Sequence, residues 1–395
     1  MKILIAHNHY QLSGGEDNVV HSEKNLLLSR NHNVCSFESQ NSSIKGFYQK
    51  LKVALNTHYS KRSAIRFRNV LIQESPEIVH IHNLFPIITP SILDVCKEFN
   101  IPTILTLHNY RLICPNALLY RKSNICELCV TNSTFYAIIH KCYKESLLGS
   151  LITSHMVDHH RRIKTWHNKV DRFIVLTEFA KGLLGKGGIP KEKMSIKPNF
   201  ISKPPSNYTR NKTQRKGALF VGRLSVEKGV KTLLKAWEKT NIQLSVAGEG
   251  PLSAITNNFK NNNINSIGYI SPSSVSDLMQ CCSFLIFPSE CYEGFPMVIV
   301  EAFANGLPVI ASRLGGMVEL VENGKTGFHF TPGDSDDLSV KVRWMHEHPD
   351  ECRKMGQNAR QVYEQKYTPE KNYRMLMSIY QSAIYEKKSS IKSRS

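Results

Sequence analysis

SECYEGFPMVIVEAFANGLPVIAS, Ser289 to Ser312, is the stretch from which the architecture can be read. An apolar run of strand length, Phe284-Leu-Ile-Phe-Pro288, precedes it, and a second, Leu307-Pro-Val-Ile-Ala311, closes it. Between them Pro296 suits a first helical turn, where its missing N–H costs nothing, and Asn305-Gly306 suits the helix end. Met297-Val-Ile-Val300 would make a strand by β-branching alone, but Pro296 before it and Glu301-Ala302 after it favour a helix. The order is strand, loop, helix, strand: one turn of an α/β unit with a parallel sheet.

In this unit Glu293 falls in the loop and Glu301 about two turns into the helix. Gly294 lets backbone approach a ligand, and free N–H groups at a helix start attract phosphate. A carboxylate in the loop can hold sugar hydroxyls, and one on the helix can hold ribose hydroxyls. Burying acids beside a Val-Ile-Val face is costly without partners, so an acidic pair framing Glu293-Gly-Phe-Pro296 points to a ligand rather than to two surface glutamates.

At these residues the chain resembles the retaining GT-B glycosyltransferases of the group 1 and family 4 type, which include sucrose and glycogen synthase relatives. The signature is a glutamate, seven residues and a second glutamate, as from Glu293 to Glu301. The resemblance extends over nearly the whole chain. It implies two doubly wound, Rossmann-like α/β domains facing a cleft, and transfer of a sugar from a nucleotide diphosphate with retention at the anomeric carbon.

The bulk properties agree with two domains. The chain has 395 residues and 41% hydrophobic content, enough for two cores. Formal net charge is +19, with +12 in residues 1–200 and +7 in the remainder. Such an excess favours an anionic partner: a nucleotide diphosphate, a nucleic acid or an acidic membrane face. There is no apolar run of membrane-spanning length, and Met1-Lys-Ile-Leu-Ile-Ala6 reads as a first strand. Ten cysteines, most of them single, suit a reducing compartment, so the expected location is cytoplasmic.

After that first strand come Gly14 and Gly15, then a helix over about 17–30 with Val19, Val20, Leu26 and Leu27 inward. No third glycine follows at dinucleotide-fingerprint spacing. By the resemblance this glycine loop faces the donor phosphates or the acceptor. Strands at Ile78–His82 and Thr103–Leu107 end in His82-Asn83 and His108-Asn109. Ligands gather at the carboxyl ends of parallel strands, though a strand-end histidine is also often a satisfied core residue. The run Thr106-Leu-His-Asn-Tyr-Arg-Leu-Ile-Cys-Pro-Asn116 resembles the family motif with an active-site histidine, which makes His108 the first candidate and His82 the second.

Between Glu38 and Glu74 no acidic residue occurs, while Lys45, Lys50, Lys52, Lys61, Arg62, Arg66 and Arg68 alternate with Phe47, Tyr48, Leu51, Tyr59 and Phe67. Basic and aromatic residues interleaved in this way suggest a helix lying on anionic lipid; a nucleotide groove and a solvated face are the alternatives. Four cysteines follow: Cys114, Cys126, Cys129 and Cys142, gathered within 29 residues as a Cys-x-x-Cys flanked by singles. The spacing fits a structural thiolate zinc site, with free loop thiols or a redox pair as the bland readings. No catalytic metal is expected. Residues 147–172 read as one long helical stretch, with strands at Phe173–Leu176 and Met194–Lys197 completing the first sheet.

The polar, proline-bearing stretch 203–216 reads as a linker, dividing a first domain at 1–202 from a second at 203–368, with the helix from 369 crossing back. The second domain opens on Ala218–Val221 and then Gly222-Arg223 with Lys228-Gly229, a basic pair able to clamp a diphosphate. By the resemblance Arg223 and Lys228 hold the diphosphate, Tyr269 and Ile270 lie by the base, Glu301 holds ribose, and Glu293 with the amides after Gly294 holds the sugar, in a donor loop that includes Gly294, Phe295 and Pro296. The expected partners are a nucleotide sugar, a glycan or lipid-linked acceptor and an anionic membrane surface, with no nucleic acid. Two rivals are a nucleotide-sugar epimerase of similar architecture and a basic nucleic-acid-binding protein with a zinc module. The first leaves residues 39–73 without a use, and the second leaves the Glu293–Glu301 loop without one.

Overall fold

The computed structural model describes residues 1–11, 14–44, 46–202, 215–259 and 261–392, with the side chains at 47, 50 and 390–392 left aside. Lys45, the side chains of Phe47 and Lys50, and linker residues 203–214 therefore lie outside the described residues.

The chain forms two compact units: Met1–Leu119 with Cys126–Asn199 and Pro369–Ser395, and Phe200–Thr368 with the short segment Tyr120–Ile125. The first unit holds a six-stranded sheet of β1 (Lys2–His9), β2 (Asn33–Gln40), β3 (Ile78–Asn83), β4 (Thr103–Thr106), β7 (Arg172–Val175) and β8 (Met194–Ile196), while β5 (Tyr120–Arg121) and β6 (Asn124–Ile125) make a separate antiparallel pair. The sheet order is β2-β1-β3-β4-β7-β8 and every pairing is parallel. Ile3, Ile5, Ile78, Ile104 and Ile174 are buried in one core cluster, as expected where a parallel sheet is covered on its faces. The chain leaves β1 for β2 on one side and returns to β3 on the other. Their carboxyl ends therefore diverge at a switch point, where α/β sheets bind ligands. The β1–β3 register shifts there, between Ala6 and His7.

The second unit holds β9 (Ala218–Val221), β10 (Leu244–Ala247), β11 (Ile264–Gly268), β12 (Phe284–Phe287), β13 (Val309–Ser312) and β14 (Gly327–Phe330) in the order β11-β10-β9-β12-β13-β14. All are parallel, and the switch point falls between β9 and β12. The loop after β9 carries Arg223 and Lys228, and the loop after β12 carries Glu293, so pairing of these two strands places the loops side by side. Trp237, Phe284, Ile286, Ile310 and Phe330 anchor the core beneath.

Helix Met297–Ala304 lies where the opening stretch predicts, with Pro296 just before it and Asn305-Gly306 closing it. Helix Pro369–Lys392 lays Leu376, Tyr380 and Ala383 into the core of the first unit, at helical spacing. The predicted long helix at 147–172 is instead two, Leu147–Arg162 and Thr165–Lys169, followed by β7. Lys164 breaks it by taking a left-handed conformation, φ 52° and ψ 39°, which buries Trp166. Neither glycine nor proline marks that break in the sequence.

Candidate functional site

In the second unit, Gly229 decides how the two loops meet. Its φ is +69°, and a Cβ built on it would lie 1.9 Å from the Pro288 carbonyl oxygen, so only glycine lets the β9 loop sit against the end of β12. Backbone and side-chain contacts then stitch the loops: Glu290 N–H donates to Glu227 O at 2.8 Å, and the Ser289 hydroxyl oxygen lies 3.1 Å from the same carbonyl.

Held in this way, Lys228 donates to Glu293 Oε1 at 2.6 Å, and the Ser289 hydroxyl donates to the same oxygen at 2.6 Å. Burial works against the Lys228 ammonium, but Glu293 outweighs it and raises its pKa. The diphosphate and sugar candidates are thus ion-paired with each other. Arg223 is exposed and has no ion partner among the described residues, so it is the free cation of this corner. Glu301 is half-buried on the helix; burial raises its carboxyl pKa, and it meets no hydrogen-bond donor among the described residues. An underused acid at the carboxyl end of a parallel sheet is suited to a ligand's hydroxyls. Phe295 packs edge-on against Tyr367 at 5.8 Å, fixing the loop before the helix. Tyr269 is 75% exposed just after β11, beside half-buried Ile270.

In the first unit, Gly14 caps helix Gly15–Ser29, and its N–H donates to Asp17 Oδ2 at 3.0 Å. Asp17 Oδ1 lies 2.7 Å from His7 Nε2 and 3.3 Å from His9 Nδ1. Glu16 is a residue that the sequence reading passed over. Its Oε2 accepts from the Tyr10 hydroxyl at 3.0 Å, its Oε1 is buried without a hydrogen-bond partner among the described residues, and burial pushes its carboxyl up to about 8. Asn109, next to His108, reaches the Tyr10 hydroxyl at 3.2 Å.

His108 and His82 come together: their rings stack, and His82 Nδ1 lies 3.0 Å from His108 Nε2. Beneath them is a buried network. Glu23 Oε1 is 3.3 Å from His82 Nε2 and 3.0 Å from His80 Nδ1, while Lys197 donates to Glu23 Oε2 at 2.8 Å. Burial opposes ionisation of Glu23, but Lys197 and the histidines outweigh it and hold its carboxyl well below the usual range. Burial and neighbouring His80 depress His82 to about 3, and burial with His82 puts His108 well below its ordinary value. Both imidazoles are neutral at physiological pH. Glu23, His80 and Lys197 were not candidates from sequence, and the one signal for them is two histidines inside the otherwise apolar run Ile78-Val-His-Ile-His82.

Cys114 and Cys129 are buried, Cys126 and Cys142 partly so, and none of the four is in a disulfide. Burial pushes the Cys129 thiol up to about 12, and Cys114, Cys142 and Cys126 lie near enough to add to the shift. Among the described residues, the sets whose ligand atoms lie within 4.8 Å of one another are His7–His9–Asp17 and Glu23–His80–His82, not the cysteines. In the first set Asp17 is already bonded to His7, and at Glu23 the Lys197 ammonium already supplies the cation.

The family model for group 1 glycosyl transferases matches residues 206–362, and that for glycosyltransferase family 4 matches residues 14–203. An uncharacterized glycosyltransferase of Methanocaldococcus jannaschii is 26% identical over 393 residues, covering 96% of this chain and 98% of the relative. Among solved structures, sucrose-phosphate synthase from Thermosynechococcus elongatus matches with a TM-score of 0.71 at 16% identity, over 98% of this chain and 99% of the other. The Anabaena protein HepE in complex with UDP matches with a TM-score of 0.62 at 19% identity, over 99% and 100%. These likenesses bear out the GT-B fold expected from the Glu293–Glu301 stretch.

Proposed function

We propose that this chain, matched by the group 1 glycosyl transferase model in its second half and by the family 4 model in its first, moves a sugar from a nucleoside diphosphate donor to a glycan or lipid-linked acceptor, with retention at the anomeric carbon, in cell-surface polysaccharide synthesis. The observation that carries the donor side is the corner at the β9/β12 switch point: exposed Arg223, the Lys228–Glu293 pair and unpartnered Glu301. A diphosphate arriving there meets Arg223 as a free charge and Lys228 as one already shared with Glu293. Both cations stabilise the negative charge that develops on the leaving diphosphate. Glu301 takes ribose hydroxyls, Glu293 with Gly294, Phe295 and Pro296 takes the sugar, and Tyr269 and Ile270 take the base. Gly14, Gly15 and His108 serve the reaction from the first unit. UDP is the first nucleotide to test, because HepE, of the same fold, is known in complex with it. Calorimetric titration with UDP, ADP and GDP tests the reading; no binding of any of them removes it.

The acceptor's lipid link rests on the surface of the first unit. Tyr48, Leu51 and Leu55 are exposed at helical spacing on helix Gly46–Asn56, which packs against helix Leu147–Arg162, where Leu147, Leu148 and Leu151 are exposed too. Exposed Phe135 and Ile139 continue the apolar surface on the neighbouring helix Phe135–Ile139. Lys52, Lys61 and Arg62 have no ion partner among the described residues, whereas Arg68 is engaged by Glu98. Free cations beside unpartnered apolar side chains suit the cytoplasmic face of an anionic bilayer. No helix among the described residues is long and apolar enough to cross a membrane. For the cysteines, the proposal is a structural zinc at Cys114, Cys126, Cys129 and Cys142, which needs their side chains to turn toward a shared centre.

A further inference from the structure

We infer that Lys197, Glu23 and His82 form a buried relay that fixes the tautomer of His108, so that its Nδ1 meets the ligand as a bare hydrogen-bond acceptor. This inference rests on the reading of His108 as an active-site residue.

Lys197 and Glu23 are buried to within 2% and 1% exposure, and the lysine donates to Glu23 Oε2. An ionised carboxylate can only accept. Two ring nitrogens face its other oxygen, His80 Nδ1 at 3.0 Å and His82 Nε2 at 3.3 Å, at ion-pair distance and without hydrogen-bond alignment, and its negative charge favours a hydrogen on each. His82 is neutral, so its Nδ1 is left with a lone pair, and the atom 3.0 Å away, His108 Nε2, must donate to it. His108 is neutral as well, which leaves its Nδ1 unprotonated. That nitrogen makes no hydrogen bond to the described residues, and the half-buried ring leaves it open to a ligand hydroxyl. Were the relay reversed, the same position would present an N–H and repel hydroxyl donors. Carboxylates behind histidines commonly fix a ring in this way.

The C-terminal helix completes the relay. Its Tyr380 hydroxyl lies 2.7 Å from His80 Nδ1, the Thr106 hydroxyl holds His80 Nε2 at 2.7 Å, and Asn372 Oδ1 accepts from Lys197 at 3.2 Å. His80 stands against His82 at a ring separation of 4.2 Å, so the helix helps to keep the second imidazole in place. Glu23, His82 and Lys197 are positioning residues.

The test is side-chain nitrogen NMR of the full chain with labelled histidine and no ligand, His108 being assigned by its loss in His108→Gln. The relay predicts the Nε2–H tautomer of His108, unprotonated at pH 6. His82→Asn keeps an acceptor at the Nδ1 position and should retain that tautomer. His82→Leu should release it, giving a mixture of tautomers. Glu23→Gln should also release it. Because that change strands a buried lysine, Glu23→Gln/Lys197→Met is read alongside, with a melting curve to show that it folds. An Nδ1–H tautomer in the wild type, or a wild-type His108 signal in folded His82→Leu, would overturn the relay. UDP release from UDP-glucose separates the two readings. A drop in turnover of tenfold or more in His82→Leu, with donor KM within threefold and rescue by His82→Asn, supports both. A released tautomer with unchanged turnover leaves the relay standing and overturns the active-site role of His108.

Discussion

Glu301 is the residue whose surroundings ask most for a ligand: half-buried, its carboxyl pKa raised by burial, and without a donor to its carboxylate among the described residues. A hydrogen bond to a charged group is worth about 1.5–3 kcal/mol, so Glu301→Ala should weaken nucleotide binding roughly ten- to a hundredfold. Glu293→Gln should instead lower turnover more than affinity, since that carboxylate already has Lys228 and Ser289 as partners. Removing Lys228 alone should cost more than the double change Lys228→Met/Glu293→Gln, because the single variant strands a partly buried carboxylate. Glu16 supplies a pH dependence. Its folded pKa, about 8, lies above the ordinary 4.5, so between those values the folded state holds a proton that the unfolded state has lost. Its contribution to stability therefore falls as pH rises from about 4.5 to about 8 and is level beyond. Melting temperatures from pH 5 to 9 should show Glu16→Gln gaining on the wild type toward alkaline pH; a constant gap would contradict the raised value.

Among the elements, the strands were legible because buried parallel strands are continuous apolar runs, as in Phe284–Phe287 and Val309–Ser312. The helix carrying Glu301 was legible from Pro296 and Asn305-Gly306. The helix break at Lys164 was not, since its left-handed backbone depends on seating Trp166 rather than on a breaker residue. Nor could local pattern reveal that Lys228 meets Glu293 across 65 positions, or Lys197 meets Glu23 across 174, because tertiary pairing brings them together. Arg223, Lys228, Glu293, His108 and His82 could be named from spacing and resemblance, but the pairing of Lys228 with Glu293 and of His108 with His82 could not. Gly229 illustrates how an element without ligand contact still governs the site. Gly229→Ala forces a Cβ against the Pro288 carbonyl, and should lower both melting temperature and UDP affinity. A variant with wild-type values for both would show that the loops can separate without consequence.

For the molecule as a whole, the charge of +19 and the apolar face on the first unit predict salt-sensitive attachment to anionic lipid. Each basic side chain near such a surface is worth about 1 kcal/mol, and the attraction is screened over roughly 8 Å at physiological salt. Vesicle flotation should show binding to anionic liposomes that weakens with salt and is lost when Lys52, Lys61 and Arg62 become glutamate. Equal flotation with neutral vesicles would make this face a solvated one. Elemental analysis addresses the cysteines: one zinc per chain is expected, and metal-free protein with four titratable thiols among Cys114, Cys126, Cys129 and Cys142 would remove the metal. The central claim, a nucleoside diphosphate seated at the β9/β12 switch point, is tested most directly by calorimetric titration of the full chain with UDP, beside Glu301→Ala and Arg223→Ala. The account predicts saturable binding by the wild type and a dissociation constant at least tenfold higher in each variant. Binding of UDP with the same constant in all three proteins would contradict it.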